Sequence, residues 1–426
     1  MQTATDPPPI ITHWRSEALT PIATAERIET LDVLRGFALF GILTVNMVAF
    51  SWPMDQMMPG QLDWESRRDI LADWMIRFLA DGKFYPLFAL LFGLGAAIQM
   101  ERAELHRADF AKHFCRRLFA LLGFGLAHAL LIWEGDILVW YALCGFLLLA
   151  FRKRKPKTLL IWAAICLLIP ALLILLLWAL LAGVSLVPEF ARAIQKELAQ
   201  SPEDSAQLLE ETIRIFATGS YGEIFVHRLG NLLLAWLAGL FYFPTFLAMF
   251  LLGLYAGTRR IFRDQAAHSG LIRRVLLWGL VIGLPTNLIY TAGMVNSDMS
   301  DVRFIWLLSQ AFVAVGGPSQ SLAYAAAIAL LLRHNLCKRL AHRVAAAGRL
   351  ALSNYLLQSL ICTTIFYSYG LGLFGSVGRA AGLVLAVAIY SAQVLFSIWW
   401  LRRFRFGPME WLWRTLTYGH RPVMRV

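Results

Sequence analysis

The sequence contains few charged residues for its length. Of its 426 residues, 15% are charged and 58% are hydrophobic, whereas soluble domains contain about 25% charged and about 45–50% apolar residues. The mean hydropathy is +0.60. This shortage of charge excludes an ordinary soluble domain and predicts a protein that is surrounded by lipid.

Cysteine is also scarce, and several common site motifs are missing. The five cysteines include no C-x-x-C pair and no zinc spacing, so we expect neither a disulfide framework nor a metal. There is no H-E-x-x-H motif, no glycine-rich phosphate loop and no nucleic-acid-binding module. The net charge of +12 comes from Lys and Arg in short segments between apolar runs. That placement indicates membrane topology and contacts with membrane lipids, and we expect no nucleic-acid partner.

Long apolar runs, in contrast, occur throughout the chain. A spanning helix needs about 20 mostly apolar residues, so the sequence predicts an all-α, polytopic integral membrane protein with about ten transmembrane helices. The predicted spans are 34–51, 84–100, 117–132, 137–151, 159–181, 240–257, 275–292, 305–331, 350–368 and 380–400. The apolar run 225–257 is too long for one span and short for two. Because Pro244 divides it, we expect residues 225–239 to form an interfacial or re-entrant helix before one span.

Lys and Arg give the predicted orientation. The segments 101–117, 152–157, 258–274 and 333–349 carry five each, and the tail 402–426 carries six. The alternate short segments are poor: none in 132–137 and one each in 293–303 and 369–379. Because cytoplasmic loops are rich in Lys and Arg, both termini are predicted to be cytoplasmic. This pattern is typical of a multi-pass protein of a bacterial inner membrane.

Three regions follow from these spans. Residues 1–30 are predicted to be a flexible cytoplasmic tail. Residues 31–257 form an N-terminal membrane region with external segments at 52–83 and 184–225, and residues 258–426 form a C-terminal membrane domain and tail. Within the first external segment, apolar residues at 3–4 spacing predict an amphipathic surface helix over 62–80, with Asp69, Asp73 and Arg77 on its other face. In the second, Ser201-Pro202-Glu203-Asp204 predicts a helix start.

The first span carries polar residues on one face. Asp32 is three residues before Arg35 and can pair with it, and Asn46 lies eleven residues after Arg35, about three helical turns. Either this face lines a polar path from the cytoplasm, or Arg35 reaches lipid phosphate and Asn46 bonds a neighbouring helix. The residues alone leave both interpretations open.

Several motifs carry a family resemblance. The first span opens Leu31-Asp32-Val33-Leu34-Arg35-Gly36. The other motifs are Gly82-Lys83-Phe84-Tyr85-Pro86-Leu87-Phe88, Gly135-Asp136-Ile137-Leu138, Gly348-Arg349-Leu350-Ala351-Leu352-Ser353-Asn354-Tyr355-Leu356-Leu357-Gln358-Ser359 and Gly407-Pro408-Met409-Glu410-Trp411-Leu412-Trp413-Arg414. Together they resemble the YeiB-like bacterial inner-membrane family, whose C-terminal half is a domain of unknown function. The first span also resembles that of the transmembrane acyltransferase superfamily, which includes heparan-alpha-glucosaminide N-acetyltransferase.

The superfamily resemblance implies acyl transfer across a membrane. Acyl-coenzyme A would bind from the cytoplasm, and the acyl group would pass to an acceptor, a glycan or a small metabolite, on the far side. The sequence departs from that pattern in one respect. The acyltransferase-3 proteins have a His where this chain has Asn46, and the heparan enzyme has its catalytic His in the following outer segment, whereas 51–83 here contains no His.

The remaining candidates for a catalytic base surround the third span. His128 lies near its outer end and is followed by Glu134 and Asp136. If the helix continues, His128 and Asp136 are about two turns apart on one face. The set is then a base with a carboxylate that orients it, with Glu134 as the second choice. Alternatively, His128 bonds a neighbouring helix and Asp136 only caps the fourth span.

Polar residues also cluster on the ninth span. Asn354, Tyr355 and Gln358 form a stripe at helical spacing. They are candidate substrate-binding residues together with Asn46. Arg35, Arg349 and Arg414 are candidates to hold the phosphates of acyl-coenzyme A, which need fixed cations. In the alternative interpretation, the stripe joins helices and the arginines are topology signals.

Three classes of function remain open from the sequence. The first is a membrane-bound, acyl-coenzyme A-dependent acyltransferase. The second is a transporter or flippase for an amphipathic solute, for which Gly316-Gly317-Pro318 predicts a broken eighth span. The third is a non-catalytic partner in an envelope complex. A homo-oligomer is compatible with all three.

Overall fold

Helices make up most of the described chain. The computed structural model describes residues 28–53, 66–185, 206–295 and 302–426, and within these ranges the β-pairing is a single isolated bridge between Phe404 and Arg425. The helices are α1 (Glu29–Ser51), α2 (Arg67–Leu79), α3 (Phe84–Leu105), α4 (Phe110–Leu131), α5 (Leu138–Leu148), α6 (Pro156–Ser185), α7 (206–218), α8 (Tyr221–Thr258), α9 (Ser269–Val295), α10 (Val302–Arg333), α11 (Lys338–Arg349), α12 (Ala351–Phe366), α13 (Arg379–Leu401) and α14 (Pro408–Tyr418).

Within the described residues, eight helices are long and apolar enough to cross a membrane. Two shorter apolar helices, Leu138–Phe151 and Ala351–Phe366, coincide with the predicted fourth and ninth spans, so each of the ten predicted spans corresponds to an apolar helix. The chain is therefore a polytopic α-helical membrane protein. Residues 1–27 of the predicted tail and the predicted helix start at Ser201 lie outside the described residues, and residues 29 and 30 already belong to α1.

The apolar run after residue 225 belongs to one continuous helix of 38 residues, α8, with Pro244 inside it. This helix contains one candidate span, Gly239–Thr258, as predicted, but its continuity excludes a re-entrant turn before that span. The predicted break in the eighth span is wrong. Helix α10 continues for 32 residues through Gly316-Gly317-Pro318. These glycines serve close packing instead of a break: a Cβ on Gly316 would lie 2.3 Å from Thr286 Oγ1, and one on Gly317 would lie 2.3 Å from the Gly82 carbonyl oxygen.

Helix α1 lies at the centre of the bundle. It packs against α3, α11, α12 and α13, and small residues allow the closest approaches, as is usual where membrane helices meet. A Cβ on Gly348 of α11 would lie 1.9 Å from the Asp32 carbonyl oxygen of α1. A Cβ on Gly36 would lie 2.2 Å from the Val344 carbonyl oxygen. Helices α1 and α11 therefore touch backbone to backbone.

Contacts between connecting segments fall into two groups. On the predicted outer side, Trp52 Nε1 donates to the Val377 carbonyl at 2.8 Å and the Ser368 amide donates to the Phe216 carbonyl at 2.7 Å. On the predicted inner side, Trp413 Nε1 donates to the Arg117 carbonyl at 2.8 Å. Gln265 Nε2 likewise donates to Thr30 Oγ1 at 2.9 Å. These contacts join segments that the Lys and Arg pattern places on the same side.

Helix α2 has the opposite orientation to an amphipathic helix on a soluble protein. The helix is present as predicted, and Ser66 caps it by accepting from the Arg68 amide. However, its polar face points into the protein: Asp73 and Arg77 are buried, whereas Leu71 is 61% exposed. Asp73 accepts from Arg77 Nε at 2.6 Å and from Arg379 Nε, at the start of α13, at 2.7 Å. The apolar face is left for lipid.

Candidate functional site

A cavity of about 270 Å³ lies between α1, α3, α4, α12 and α14. Its walls differ from one end to the other. At one end it is lined by charged side chains of the predicted cytoplasmic segments, and further in by apolar and aromatic side chains such as Phe92, Leu121 and Tyr141. Phe88 and Arg102 both line it and lie 14 residues apart on α3, which corresponds to about 21 Å along the helix. The cavity therefore extends from the predicted cytoplasmic end of α3 well into its membrane span.

The charged end brings together the arginines singled out from the sequence. Arg35, Arg349 and Arg414 all line the cavity, and so do Arg102 and Arg117. The carboxylates among its lining residues are Asp32 and Glu410, so the mouth carries an excess of positive charge. Asp32 accepts from Arg35 at 2.9 Å. In the sequence, Arg102 and Arg117 are indistinguishable from the other topology signals of the segment 101–117.

Backbone contact positions two of these arginines. Arg35 precedes Gly36 and Arg349 follows Gly348, and these are the glycines through which α1 and α11 touch. Because neither glycine has a side chain, the two helices approach closely enough for both neighbouring arginines to line one cavity. The family motifs at the start of α1 and the end of α11 thus meet at the mouth.

Helix α14 supplies the rest of the mouth. Its Glu410 accepts from the amides of Leu352 and Ser353 at 2.7 and 3.1 Å, and from Ser353 Oγ at 2.5 Å. Ser353 Oγ in turn accepts from the Met409 amide at 3.0 Å. Helix α12 has no side-chain cap of its own, so Glu410 caps it. Burial raises the pKa of this carboxyl group, against the hydrogen bonds from Ser353 and Leu352.

Aromatic contacts hold Arg117 and Arg414 in place. The Arg117 guanidinium lies 3.6 Å from the centre of the Trp413 ring, and that of Arg414 lies 4.5 Å from the centre of the Phe406 ring. Stacking on an aromatic face restrains the guanidinium plane. Both cations therefore have defined positions at the mouth.

His128 and Asp136 form a buried pair near the far end of the cavity but outside its lining. His128 Nδ1 lies 2.8 Å from Asp136 Oδ1, and their side chains are 1% and 0% exposed. Asp136 Oδ2 accepts from the Val139 amide at 2.8 Å. The same carboxylate therefore orients the imidazole and satisfies an amide in the first turn of α5. Because the carboxylate accepts, Nδ1 carries the proton and Nε2 is the basic atom. Nε2 is buried and has no hydrogen-bond partner within the described residues.

The pair forms by a different route from the one the spacing suggested. Helix α4 ends at Leu131 and α5 begins at Leu138, so no continuous helix carries both residues. Instead the connection returns Asp136 beside α4, where Gly125 leaves room for it: a Cβ there would lie 3.0 Å from Asp136 Oδ2. His128 and Asp136 do not line the cavity themselves. They lie behind Tyr355, which does, with the His128 and Tyr355 ring centres 5.2 Å apart.

Glu134 belongs to a separate contact. Its carboxylate lies 3.4 Å from Arg228 Nε of α8, and both side chains are buried. Arg228 also donates to the Leu130 carbonyl at 3.2 Å. Burial raises the pKa of Glu134, partly offset by Arg228. The structure therefore pairs Glu134 with a cation and not with His128.

Three of the proposed substrate-binding residues lie away from the cavity. Asn354 Nδ2 donates to the Ala347 carbonyl and to Ser397 Oγ, both at 3.1 Å. Gln358 Nε2 donates to Gln393 Oε1 at 2.9 Å. These contacts join α12 to α11 and α13, as the alternative interpretation had it. Asn46 is half-buried and does not line the cavity, so Tyr355 is the member of the set that does.

Comparison with known proteins agrees with the family resemblance. Residues 256–420 match the family described as a protein of unknown function, DUF418. The chain is 38% identical over 416 residues to uncharacterized protein YxaH of Bacillus subtilis (strain 168), covering 94% of this chain and 96% of that protein. It is 32% identical over 394 residues to uncharacterized protein YeiB of Escherichia coli (strain K12), covering 92% and 96%.

These matches extend over nearly the whole of each protein. The helices define a multi-pass membrane protein with an amphipathic central cavity. At more than 30% identity over more than nine-tenths of both chains, this protein belongs to the YeiB-like family.

Proposed function

We propose that this protein is an acyltransferase of the bacterial inner membrane, related to the transmembrane acyltransferase superfamily. It would take an acyl group from acyl-coenzyme A on the cytoplasmic side and pass it to an acceptor on the periplasmic side. The observation that carries this proposal is the single cavity that joins a mouth of five arginines to an apolar interior and ends beside a His–Asp pair.

The mouth suits the charged part of the donor. Coenzyme A carries several phosphate charges, and Arg binds phosphate through paired N–H groups. Arg35, Arg349 and Arg414 together with Arg102 and Arg117 exceed the two carboxylates at the same end. The cavity volume of about 270 Å³ is slightly below the usual range of ligand pockets, about 300–1,000 Å³. It would therefore take the acyl–pantetheine arm, with the phosphates at the mouth.

The far end suits the acceptor chemistry. The acceptor hydroxyl would give its proton to His128 Nε2 while its oxygen bonds to the thioester carbonyl carbon, and the carbon–sulfur bond would then break. The proton would pass to the leaving thiolate, so that the products are an acyl ester and free coenzyme A. Asp136 would hold the Nδ1 proton and stabilise the imidazolium that forms. Tyr355 would have to turn aside, because it lines the cavity and its ring centre lies 5.2 Å from that of His128.

A transporter or flippase for an amphipathic anion is the second candidate, since such a solute would also fit this cavity. One structural feature counts against it. Helix-based transporters bind solutes at broken helices, and α10 is continuous through its Gly-Gly-Pro sequence.

Donor binding is the first test. The protein in lipid nanodiscs is titrated with acetyl-coenzyme A by calorimetry, as wild type and as Arg35→Gln, Arg349→Gln and Arg414→Gln. A charge-assisted contact contributes about 1.5–3 kcal/mol, so each variant should bind about tenfold or more weakly. Arg154→Gln, in the exposed α5–α6 connection, is the matched control and should bind as wild type. Equal affinities of all four variants and the wild type for acetyl-coenzyme A would refute the proposed donor site at the mouth of the cavity.

Transfer of the acyl group is the second test. Radiolabelled acetyl-coenzyme A is supplied to inside-out membrane vesicles, and label in the envelope fraction is followed. His128→Ala should lower the rate by about 10²–10⁴-fold, the usual contribution of a general base, while donor binding stays unchanged. If label accumulates inside the vesicles as intact acyl-coenzyme A, or if His128→Ala transfers at the wild-type rate, the acyltransferase mechanism is wrong.

A further inference from the structure

A second basic site lies outside the central cavity, in a groove between α11 and the end of α13. It has a volume of about 610 Å³. The cations that line it are Lys338, Arg339, Arg343, Arg349 and Arg402. The groove-lining residues include no carboxylate. His342 also lines the groove, and its Nδ1 lies 3.7 Å from the carboxylate of Glu29.

The charge on α11 is placed against the helix dipole. A helix N-terminus is positive and favours acids in its first turn. Here the first turn contains Lys338 and Arg339, it has no acidic residue, and Cys337 at the N-cap makes no side-chain hydrogen bond to the helix. The cationic side chains are therefore repelled by the positive N-terminal end of the helix, where the amides are uncapped. An anion bound there would reduce this repulsion and accept from the amides.

The surroundings of the groove are apolar on the side of α13. Ile398 and Leu401 line it, and the face of α13 that continues from them is exposed: Leu395 is 67%, Phe396 42% and Trp399 46% exposed. Arg403 stacks on Trp399, with 4.5 Å between the guanidinium carbon and the ring centre. Trp and Arg at this position are typical of a membrane interface. The basic groove therefore opens onto a surface that lipid chains would cover.

From these observations we propose that the groove binds the phosphate headgroup of an anionic phospholipid of the cytoplasmic leaflet, whose chains lie along α13. A small soluble phosphate would satisfy the cations and the helix end equally well. The exposed apolar face beside the groove is what favours a lipid. This site does not depend on the proposed acyl transfer. Arg349 lines both the groove and the central cavity, so it is left unchanged in the test.

The test measures phosphatidylglycerol bound to the protein in nanodiscs of phosphatidylcholine, by native mass spectrometry after titration. Each cation at a membrane surface contributes about 1 kcal/mol to binding of anionic lipid, about fivefold in affinity. The double variant Arg339→Gln/Arg343→Gln should therefore bind about 25-fold more weakly. Arg339→Lys/Arg343→Lys keeps the charge and should retain binding, which also shows that these positions tolerate change.

The matched control removes the same charge elsewhere on the inner side. Arg152→Gln/Arg154→Gln lies in the exposed connection between α5 and α6, and it should change affinity less than threefold. Equal losses in the two double variants would mean diffuse attraction to the lipid surface and would overturn the groove site. Displacement of the lipid by millimolar inorganic phosphate would identify a site for soluble phosphate and overturn the lipid assignment.

Discussion

Replacing Asp73 by Asn should be among the most destabilising single changes in the protein. The Asp73 carboxylate joins two helices, because it accepts from Arg77 of α2 at 2.6 Å and from Arg379 of α13 at 2.7 Å. The three side chains are 7%, 11% and 6% exposed. Asn keeps the shape but loses the charge, so two guanidinium groups would remain buried beside each other.

The magnitude follows from which charges are left without a partner. Breaking a buried ion pair by removing one partner costs about 3–5 kcal/mol, and Asp73→Asn leaves two cations without the carboxylate that they share, with the charge of Asp81 as a weaker compensation. Arg379→Gln leaves the neutral pair of Asp73 and Arg77, so it should cost less, about 1–3 kcal/mol, the value of one charged hydrogen bond. In the double variant Asp73→Asn/Arg379→Gln, only one of the two guanidinium groups remains. Its cost should therefore be smaller than the sum of the single costs by about 1 kcal/mol or more.

The assay is reversible unfolding in mixed micelles with increasing sodium dodecyl sulfate, followed by circular dichroism. Arg68→Gln, on the exposed side of α2, is the matched control and should stay within about 0.5 kcal/mol of wild type. A cost below about 1 kcal/mol for Asp73→Asn, or strict additivity in the double variant, would refute the inward placement of the polar face of α2.

Three further changes test the packing, the cap and the topology. Gly348→Ala should lower the midpoint of unfolding and weaken acetyl-coenzyme A binding, because its Cβ would lie 1.9 Å from the Asp32 carbonyl oxygen. The control Gly123→Ala, whose Cβ would have no neighbouring atom within 4 Å, should be neutral or stabilising by about 1 kcal/mol in the same unfolding assay. Glu410→Ala should cost about 2 kcal/mol in that assay because α12 loses its cap, and a cost equal to that of an exposed control such as Arg421→Ala would contradict the capping role. An impermeant thiol reagent should label Ser376→Cys in intact cells but spare the native, exposed Cys337 until the cells are opened. The reverse pattern would invert the predicted orientation.

Much of the architecture was predictable because the bilayer imposes simple rules. Apolar runs of sufficient length have to be helices, and each of the ten predicted spans corresponds to one. The distribution of Lys and Arg sorted the connecting segments into two sides. The contacts of Trp52 with Val377 and of Trp413 with Arg117 each join segments of one side.

The direction in which α2 faces was not predictable from its pattern. Periodicity identifies an apolar face and a polar face, and in water the apolar face would turn inward. At a membrane surface the apolar face has lipid as a second partner. The inward position of Asp73 depends on Arg379, which lies 306 residues away in sequence, and no local pattern reports such a partner.

Proline and glycine were misleading for a related reason. In water, Pro244 and Gly316-Gly317-Pro318 would be strong signals for helix ends. In a membrane bundle the freed backbone groups find partners in neighbouring helices, so such residues are tolerated inside spans. Helices α8 and α10 both continue through them, and the glycines allow close contact with Thr286 and Gly82.

The candidate site was also only partly predictable from the sequence. The sequence pointed to His128 and Asp136 through a spacing of eight residues along a helix, and the two side chains do meet, but across the turn between α4 and α5. Arg117 could not be separated from topology signals, because its role at the cavity depends on Trp413 and on the return of the C-terminal helix.

The family motifs around the mouth combine two kinds of residue that have to be separated experimentally. Gly36 and Gly348 bring helices together, and Ser353 and Glu410 join α12 to α14. Changing any of these four would displace the arginines without touching a ligand, so a loss of binding would carry no information about chemistry. The arginines can be neutralised without disturbing this packing, because a Gln in place of Arg349 leaves the glycine contact beside it intact. A donor site at this mouth is therefore tested by neutralising the arginines while the glycines and the cap remain.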